Sequence, residues 1–593
     1  MSRVRSRPAR LLAAGVAMTL VIGCGEPPVS PSPRASQAAS GMPSDGATPS
    51  AARSTGPFVP MAYPADGPAP CEQPTADPTH GPYAGSLARI VAKDARTVIF
   101  QLCDPDPAFL VKVASPTLAI DDTAWLQSHL DRSMERQAIF TEVNGTGPFR
   151  VDRWDGTSDI ALSRFDRYWG TPALTDAVVF VAESDAGRRL SKLEEGSVDG
   201  VDVIAPGDLE AVRADPELTI LPRGGLNLAY IGLNSRFAPL DREVVRRALA
   251  LGIDRSAIVA AAFPPGTEVA DRFLPCAIPY ACGGAAFPEP DAAAGRDLLA
   301  EAGFPDGFHT TITYSDEPRD YLPDPSAAAT ALQGQLHDQL GITATLKVLP
   351  FDELTAAIDS GRLAGLYLLG ARARYPDPRP LLEGHFGASA SLQFGRRYDD
   401  IARMLARGRS SSDPKIRADG YGRVNGLLAA HVPMIPLAHV GTSAAFRTDV
   451  MGAQASATAT DRFALVTPGD RRQFVYMQRD RPTSLFCADE TDDEALRVCN
   501  QVSESLYRSD PSPSGVAPAL AERCAPSKDL LTWTCTLRPG VRFHDGADLD
   551  ANDVVLSFAI RWDLEHPLHV GRDGLFQGFV DRFGGFLHPP PSP

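Results

Sequence analysis

The chain has 593 residues and a formal net charge of −16, and 44% of its residues are hydrophobic and 22% charged. These fractions are ordinary for globular proteins, and the length is sufficient for two or three domains with a large core. The acidic balance argues against nucleic acid or an anionic membrane surface as a partner, because both require clustered Lys and Arg.

The first 23 residues have the features of a signal peptide. The opening segment MSRVRSRPAR carries four Arg and no acidic residue, and the apolar run from Leu11 to Ile22 is shorter than the roughly 20 residues that span a bilayer. The sequence Val21-Ile22-Gly23-Cys24 resembles the lipobox of bacterial lipoproteins, in which the cysteine sulfur is acylated. We therefore expect residues 1–23 to be removed and Cys24 to carry a lipid. An ordinary secretory signal with a chance cysteine is the alternative.

Residues 24–80 are rich in Pro, Ser, Ala and Gly and contain few large apolar side chains. Such a segment cannot bury enough surface to offset chain entropy, so we expect a disordered, semi-flexible tether. A short disordered tail is predicted at residues 588–593. With Cys24 acylated, the tether would hold a globular body on the outer, extracytoplasmic side of the cell membrane.

Eight cysteines remain besides Cys24. An even number in a chain that leaves the cytoplasm predicts disulfides, although sequence alone does not determine their connectivity. None has the C-x-x-C spacing of a zinc ribbon or a redox pair. Pairing of nearest neighbours suggests Cys276 with Cys282, Cys487 with Cys499, Cys524 with Cys535 and, by elimination, Cys71 with Cys103.

The globular body alternates strand and helix patterns. β-Branched and aromatic residues predict a strand from Thr97 to Leu102. Apolar residues at helical spacing predict a helix from Leu240 to Ala261, with Asp241 as its N-cap. Two further helices, Asp291 to Ala302 and Ala327 to Leu340, each precede a glycine that suits a left-handed C-cap. This alternation predicts an α/β body.

The most specific stretch, Leu530 to Phe558, reads LLTWTCTLRPGVRFHDGADLDANDVVLSF. It predicts a strand from Thr532 to Leu537, a tight turn at Asp545-Gly546 and a helix beginning at Asp553. His544 and Asp545 fit a turn-stabilising pair better than a catalytic or metal site. The stretch resembles the signature of the family-5 extracellular solute-binding proteins, in which an aromatic strand, an R-x-G-V-x-F-H-D-G turn and a D-V-V-x-S-F helix follow one another.

Further segments resemble the same family. Residues Asn227 to Ile258 look like its strand, Pro-Leu-Asp turn and long helix ending in I-D-R. Shorter matches lie at Gly145 to Phe149, Tyr168 to Gly170, Ala302 to Phe308, Tyr375 to Pro378 and Val432 to Leu437. Together the resemblance covers nearly everything from Gly81 to Leu587.

The order of these segments departs from that of the family. The signature belongs near the start of a family member, and the family's N-terminal strand, loop and helix resemble Phe474 to Tyr507. The chain therefore reads in family order from about residue 471 to Leu587 and resumes at about Tyr83, with no piece present twice. We expect a circular permutation with the old termini joined near Asp461 to Arg472. An assembly artefact that joined two neighbouring genes is the alternative.

The resemblance implies a two-lobe α/β fold of the periplasmic-binding-protein type with an extra subdomain, which closes over a ligand at a two-strand hinge. The hinge crossings are expected near Tyr230 to Asn234 and near Pro436 to Gly441. The expected boundaries are lobe I at 81–234, including half of the extra subdomain, lobe II at 235–438, and the rest of lobe I at 439–587.

The implied function is the capture of a peptide or another small polar solute for the permease subunits of an ABC importer, by a monomer without a cofactor. Family members bind oligopeptides, dipeptides or nickel. A signalling or chaperone-like binding protein of the same fold is the alternative. An enzyme is not expected, and no catalytic or metal residue is predicted, because the chain has no G-x-S-x-G elbow, H-E-x-x-H helix, Walker A loop or G-x-G-x-x-G turn.

In peptide-binding members, a W-x-x-D-Y-type segment supplies an aspartate that pairs with the α-ammonium group of the peptide. Here Ala371 stands at the tryptophan position and Arg374 at the aspartate position. Because a guanidinium repels an ammonium group, we expect Arg374 to select a carboxylate or another anionic or polar group. A shifted loop, with Arg374 facing solvent or paired with Asp377, is the alternative. The expected ligand contacts are Arg374, Tyr375, Asp377, Asp489, Thr491 and Asp492.

Overall fold

The computed structural model describes residues 57–71, 80–130, 138–388, 390–510, 515–571 and 574–590. The predicted signal peptide, Cys24, most of the predicted tether and the end of the predicted tail lie outside these described residues. Residues 57–71, which were expected to belong to the disordered tether, are instead ordered, because Ala62 and Tyr63 pair with Val91 and Ile90 and Cys71 is bonded to Cys103. Within them, no helix has the length and apolar character needed to cross a bilayer.

The strands are, in chain order, β1 (Ala62–Tyr63), β2 (Leu87–Asp94), β3 (Thr97–Leu102), β4 (Phe149–Arg153), β5 (Ile160–Arg164), β6 (Ala177–Ala182), β7 (Gly200–Val201), β8 (Leu218–Arg223), β9 (Asn227–Leu233), β10 (Glu268–Val269), β11 (His309–Tyr314), β12 (Thr343–Val348), β13 (Leu366–Arg372), β14 (Met434–His439), β15 (Thr442–Arg447), β16 (Val450–Met451), β17 (Thr467–Pro468), β18 (Gln473–Gln478), β19 (Tyr507–Ser509), β20 (Val516–Pro518), β21 (Ala521–Pro526) and β22 (Thr532–Leu537).

The helices are α1 (Phe109–Lys112), α2 (Thr123–Leu130), α3 (Ala186–Glu194), α4 (Leu209–Ala214), α5 (Glu243–Gly252), α6 (Arg255–Ala262), α7 (Ala292–Glu301), α8 (Pro325–Leu340), α9 (Phe351–Asp359), α10 (Pro378–Phe386), α11 (Asp399–Arg409), α12 (Pro414–His431), α13 (Asp493–Val502), α14 (Ala551–Trp562) and α15 (Gln577–Phe583).

Lobe II, defined here as residues 227–439, is built around a six-stranded sheet in the order β10-β14-β9-β13-β11-β12. Every residue of the central strand β9 is buried, because this apolar strand is covered on both faces of the sheet. The core of lobe II runs from Leu228 to Ala438 without residues from outside this range. One continuous stretch of chain therefore supplies the whole lobe.

Lobe I, the remaining described residues, contains two larger sheets. The seven-stranded sheet has the order β4-β5-β6-β18-β7-β15-β8, and the five-stranded sheet has the order β1-β2-β3-β22-β21. Strand β18 pairs in parallel with β6 and β7, and β22 pairs antiparallel with β3. Both sheets therefore combine strands from opposite ends of the chain.

The C-terminal segment also meets the start of the described chain outside the sheets. The backbone N–H of Ser86 donates to the carbonyl of Phe583 at 2.6 Å, and that of Gly81 donates to the carbonyl of Pro589 at 2.8 Å. The rings of Phe463 and Phe474 lie 5.0 Å apart. Residues 471–587 are thus an integral part of lobe I and not a separate domain.

Two predicted helix boundaries are corrected by capping side chains. The helix predicted from Leu240 to Ala261 is split into α5 and α6, because Asp254 caps α6 by accepting a hydrogen bond from the Ala257 N–H at 3.1 Å. The N-cap of α5 is Arg242 and not Asp241. Helix α14 begins before Asp553, which instead closes a capping box with Asp550.

The structure contains the four cysteine pairs suggested by spacing, Cys71–Cys103, Cys276–Cys282, Cys487–Cys499 and Cys524–Cys535. Cys524 and Cys535 face each other across β21 and β22. The pair formed by Cys487 and Cys499 ties α13 to the loop that precedes it, so it braces a segment beside the cleft described below.

Candidate ligand-binding cleft

Two short segments connect the lobes. Residues 224–226 link β8 to β9, and residues 440–441 link β14 to β15. The Asn227 side chain ties the two together, because its Nδ2 donates to the carbonyl of Val440 at 2.9 Å and its Oδ1 accepts from the Val440 N–H at 2.8 Å. The first crossing thus lies before Tyr230, which is inside β9, while the second falls within the predicted range.

A Cβ atom has no room on either connection. At Gly225 it would lie 2.1 Å from the carbonyl oxygen of Val440, and at Gly441 it would lie 2.5 Å from that of Arg223. Glycine at these two positions lets the backbones of the crossing segments approach each other closely.

A cavity of about 990 Å³ opens beside these connections and is lined by both lobes. We call it the interlobe cavity. Its size lies in the range of sites for small organic ligands. Its charged lining residues are Arg223, Arg372, Arg374, Arg479, Arg582, Asp202, Asp320, Asp489, Asp492, Asp493, Glu494 and Asp581. Both signs of charge are present, which suits a ligand that carries both.

A network of buried charges contributes Arg223 and Asp202 to the lining of the interlobe cavity. Arg223 Nη1 lies 2.6 Å from Asp202 Oδ1, and Arg497 Nε lies 3.0 Å from Asp461 Oδ2. Arg497 Nη2 also approaches Asp202 Oδ2, at 3.4 Å. Burial opposes ionisation of Asp202, but Arg497 and Arg223 together hold its pKa below the ordinary value. The network is therefore charged, and it fixes the position of Arg223 in the lining.

Two of the three ligand contacts predicted after β13, Arg374 and Tyr375, line the interlobe cavity. Arg374 lines the interlobe cavity with its side chain 64% exposed, and its Nη1 lies 3.7 Å from Asp581 Oδ1 of lobe I. Tyr375 also lines the cavity, and its ring is buried in the core of lobe I. The alternative in which Arg374 pairs with Asp377 is therefore wrong, because Asp377 pairs with Arg417.

Asp377 does not line the interlobe cavity. It is fully buried, caps α10 by accepting a hydrogen bond from the Arg379 N–H at 3.0 Å, and accepts from Arg417 Nη2 at 2.5 Å. The expectation of a ligand contact at Asp377 is corrected accordingly, because both of its oxygens already serve the structure of lobe II.

The second predicted group lies in lobe I, and all three residues line the interlobe cavity. Asp489 is buried and accepts a hydrogen bond from the Phe576 N–H at 3.0 Å, so it holds the neighbouring segment in place. Asp492 caps α13, accepting from the Ala495 N–H at 2.7 Å. Thr491 is exposed between them. This loop supplies shape and a negative potential to the cavity wall.

Arg582 on α15 is a cavity residue that the sequence did not single out. Its Nη1 donates to the carbonyl of Gly578 at 2.8 Å, and no carboxylate oxygen of the described residues lies within 4 Å of its guanidinium. Burial lowers the pKa of Arg582 to about 10. A cation held in such surroundings favours an anionic partner, and no motif in this part of the sequence marks it.

The sequence was compared with known families and proteins. The profile of the bacterial extracellular solute-binding proteins, family 5, matches residues 42–393 and 515–571. The chain belongs to this family. A family-5 protein binds its solute outside the cytoplasmic membrane, and the chemistry of the interlobe cavity is consistent with a binding role. No group of three or more His, Cys, Asp or Glu in the described residues is arranged to hold a metal ion.

Family-5 relatives of several kinds are similar to this chain. The di/tripeptide-binding protein 1 of Pseudomonas aeruginosa is 27% identical over 61% of this chain and 69% of its own length. The heme-binding protein A of Haemophilus influenzae is 27% identical over 60% of this chain and 64% of its own length. Among solved structures, HbpA2 from Haemophilus parasuis is 26% identical with a TM-score of 0.59, over 64% of this chain and 75% of that one. The predicted family and the two-lobe α/β fold are confirmed.

Proposed function

We propose that this protein captures a peptide or another small polar solute in the interlobe cavity and delivers it, as a monomer, to the membrane subunits of an ABC importer. The observation that carries the proposal is a cavity of about 990 Å³, lined by both lobes and by charges of both signs. A ligand that contacts both lobes stabilises their closed arrangement by its differential affinity for it. The peptide-binding names of several relatives support the same class of ligand.

The charges of the cavity favour a ligand with an anionic group near the Arg374 loop. Arg374 replaces an aspartate expected from the family, and Arg582, without a carboxylate partner among the described residues, lines the same cavity. The guanidinium fork matches a carboxylate with two parallel hydrogen bonds. A cationic end of the ligand would instead be placed toward the acidic loop of Asp489 and Asp492.

The ligand is identified by mass spectrometry of small molecules that co-purify with the protein, followed by calorimetry. We expect Arg374→Ala to weaken binding of the recovered ligand by about 1.5 to 3 kcal/mol, the contribution of a charged hydrogen bond. Arg150→Ala, an exposed arginine outside the cavity lining, serves as the matched control. Unchanged affinity, or tight binding of free-amine peptides that does not depend on Arg374, would show that Arg374 faces solvent. The protein would then bind the α-ammonium group of a peptide, as other peptide-binding members do.

The lipid anchor is tested separately. If Cys24 is acylated, the mature protein partitions into the membrane fraction, and Cys24→Ser releases it or leaves it unprocessed. A processed Cys24→Ser protein that stays membrane-bound contradicts the anchor.

The transport role is separated from signalling by an uptake assay. Cells that lack this protein should lose uptake of the recovered ligand, and Arg374→Ala should restore uptake only in part. Normal uptake without the protein would favour a ligand-binding signalling or chaperone-like role of the same fold.

We further propose that the chain is circularly permuted, with lobe I completed by residues from about 471 onward. The pairing of β22 with β3 and the contact between Ser86 and Phe583 support this, because the new ends of a permuted chain come from one opened loop and therefore lie close to each other. A chain that begins at residue 471, continues to 587 and resumes at 83 should fold and bind the same ligand. Failure of this reordered chain to fold would contradict the proposed permutation.

A further inference from the structure

A second cavity, of about 530 Å³, lies within lobe I. We call it the side cavity. Its walls come from residues 168–174 between β5 and β6, residues 460–465 before β18, residues 500–509 from α13 to β19, and Arg538 after β22. The residues that line both the side cavity and the interlobe cavity are Ala114, Pro116, Thr460 and Ser509. The two cavities are therefore neighbours.

One part of the side cavity is aromatic and apolar. Tyr168 and Trp169 line it, and so do Leu174 and Leu465, whose exposed fractions are 57% and 36%. Large apolar side chains left exposed at the rim of a concave site mark a place where an apolar group is bound.

The two aromatic rings are held in position by Glu504. Its carboxylate accepts hydrogen bonds from the Tyr168 hydroxyl at 2.7 Å, from Trp169 Nε1 at 2.7 Å and from the Thr146 hydroxyl at 3.1 Å. Burial raises the pKa of Glu504, and these three donors act in the opposite direction. The aromatic wall is thus fixed in place before any ligand arrives.

Three arginines face this wall. The guanidinium of Arg462 makes no hydrogen bond or ion pair with the described residues. Arg508 Nη1 donates to the carbonyl of Pro518 at 2.5 Å, while its Nε is buried without a partner among those residues. The Arg538 guanidinium lies 4.8 Å from the centre of the Trp169 ring. No carboxylate oxygen of the described chain lies within 4 Å of any of the three.

The electrostatics of Arg462 follow from this arrangement. Burial and the neighbouring charge of Arg508 lower its pKa, and Tyr168, Asp510 and Glu504 only partly counter them. Like charges that share a half-buried, apolar cavity are stabilised by an anion placed between them.

We propose that the side cavity binds an apolar or aromatic group that carries a carboxylate, with Arg462 and Arg508 holding the carboxylate and Trp169, Leu174 and Leu465 packing the apolar body. The carboxylate site itself does not depend on the proposed function, and only the second of its two sources, a peptide end, rests on it. A free aromatic acid and the C-terminal residue of a peptide whose other end lies in the interlobe cavity share this chemistry.

The test compares two probes that differ only in charge, 3-phenylpropionate and 3-phenylpropionamide, in titrations of the full-length protein followed by nuclear magnetic resonance. The carboxylate should bind about ten-fold more tightly than the amide. Arg462→Gln should reduce this preference, because only Arg508 then remains to hold the carboxylate. It should not lower stability, because the Arg462 guanidinium has no partner among the described residues. Arg462→Lys should keep part of the preference, and Arg150→Gln should keep all of it.

Equal affinity for the two probes, or a carboxylate preference that is undiminished in Arg462→Gln, overturns the proposal. Competition with a tetrapeptide that ends in phenylalanine distinguishes the two sources. Displacement of 3-phenylpropionate by the tetrapeptide but not by its C-terminal amide assigns the side cavity to the end of a peptide. Retention of 3-phenylpropionate beside a bound tetrapeptide assigns the side cavity to a free acid.

Discussion

The two lobes are built from the chain in different ways. Lobe II is one continuous stretch with a single core, from Leu228 to Ala438. Lobe I joins residues 57–223 to residues 442–590, and its sheets form only when β18 and β22 meet strands from the other end of the chain. Contacts of such long separation cost more chain entropy to close than local ones. The stability of lobe I therefore depends on bringing the two ends of the chain together, and its largest core contains residues from both ends, whereas lobe II draws its core from one stretch.

The largest expected effect comes from the charge network of lobe I. Arg497→Met leaves the buried Asp202 and Asp461 with Arg223 as their remaining shared guanidinium, and this partner lies 3.9 Å from Asp461. The loss of Arg497 should lower the free energy of unfolding by about 3 to 5 kcal/mol. Urea denaturation measures the loss, and the exposed Arg150→Met should change stability by no more than about 0.5 kcal/mol. Equal losses in the two variants would show that the network adds nothing to lobe I.

A substitution that creates a cavity in the core of lobe II should lower the stability of that lobe first. Leu336 of α8 is completely buried in its core, so Leu336→Ala should cost about 2 to 4 kcal/mol. Because lobe II has its own core, calorimetry should show a larger downward shift for its transition than for that of lobe I. Leu392→Ala, at an exposed leucine of the same lobe, is the control. Equal shifts of both transitions would mean that the lobes unfold as one unit.

A largely buried ion pair between the lobes should affect their closure more than it affects stability. Arg379 of lobe II lies 2.6 Å from Asp106 of lobe I, and Asp106 keeps Lys112 as a second partner at 2.5 Å. Arg379→Met should therefore favour the open form and weaken ligand binding by about 1.5 to 3 kcal/mol. Small-angle scattering of the ligand-free protein measures the opening. Arg407→Met, which removes an exposed ion pair within lobe II, should leave the scattering profile unchanged.

The smallest expected effect is a loss of stability in acid, shared by the lobes. Burial lowers the pKa of His439 in lobe II and of His544 in lobe I to about 4. The unfolded chain, whose histidines have ordinary pKa values near 6.5, binds protons first as the pH falls. Stability is thus complete above about pH 6.5 and is lost toward pH 4, by about 1 kcal/mol for each histidine at pH 5.5.

Denaturation at pH 7 and pH 5.5 checks this acid effect. His439→Asn and His544→Asn should each reduce the difference in stability between the two pH values, and the exposed His337→Asn should not. A full pH dependence in the double variant would mean that other groups cause the loss.

The sequence alone determined the elements whose signals are local. Strands β3 and β22 have the predicted bounds, and α8 ends at Gly341, which caps it in the left-handed conformation as expected. Helix α7 ends at Glu301, with Ala302 as its C-cap, and the left-handed Gly303 follows. Alternation of side chains, helical periodicity and left-handed glycines act over a few residues and can be read directly from the chain. The family was also determined at this level, because its motifs are short and ordered.

The tertiary structure decided what depends on distant partners. Asp377 and Arg374 lie three positions apart in one predicted loop, yet Asp377 is buried against Arg417 and Arg374 lines the interlobe cavity. Arg582 and Arg462 belong to no recognised motif, and their importance arises from the cavities that residues far along the chain form around them. Burial and charge pairing are properties of the assembled lobes, so local sequence patterns could predict the binding fold but not the residues that give each cavity its chemistry.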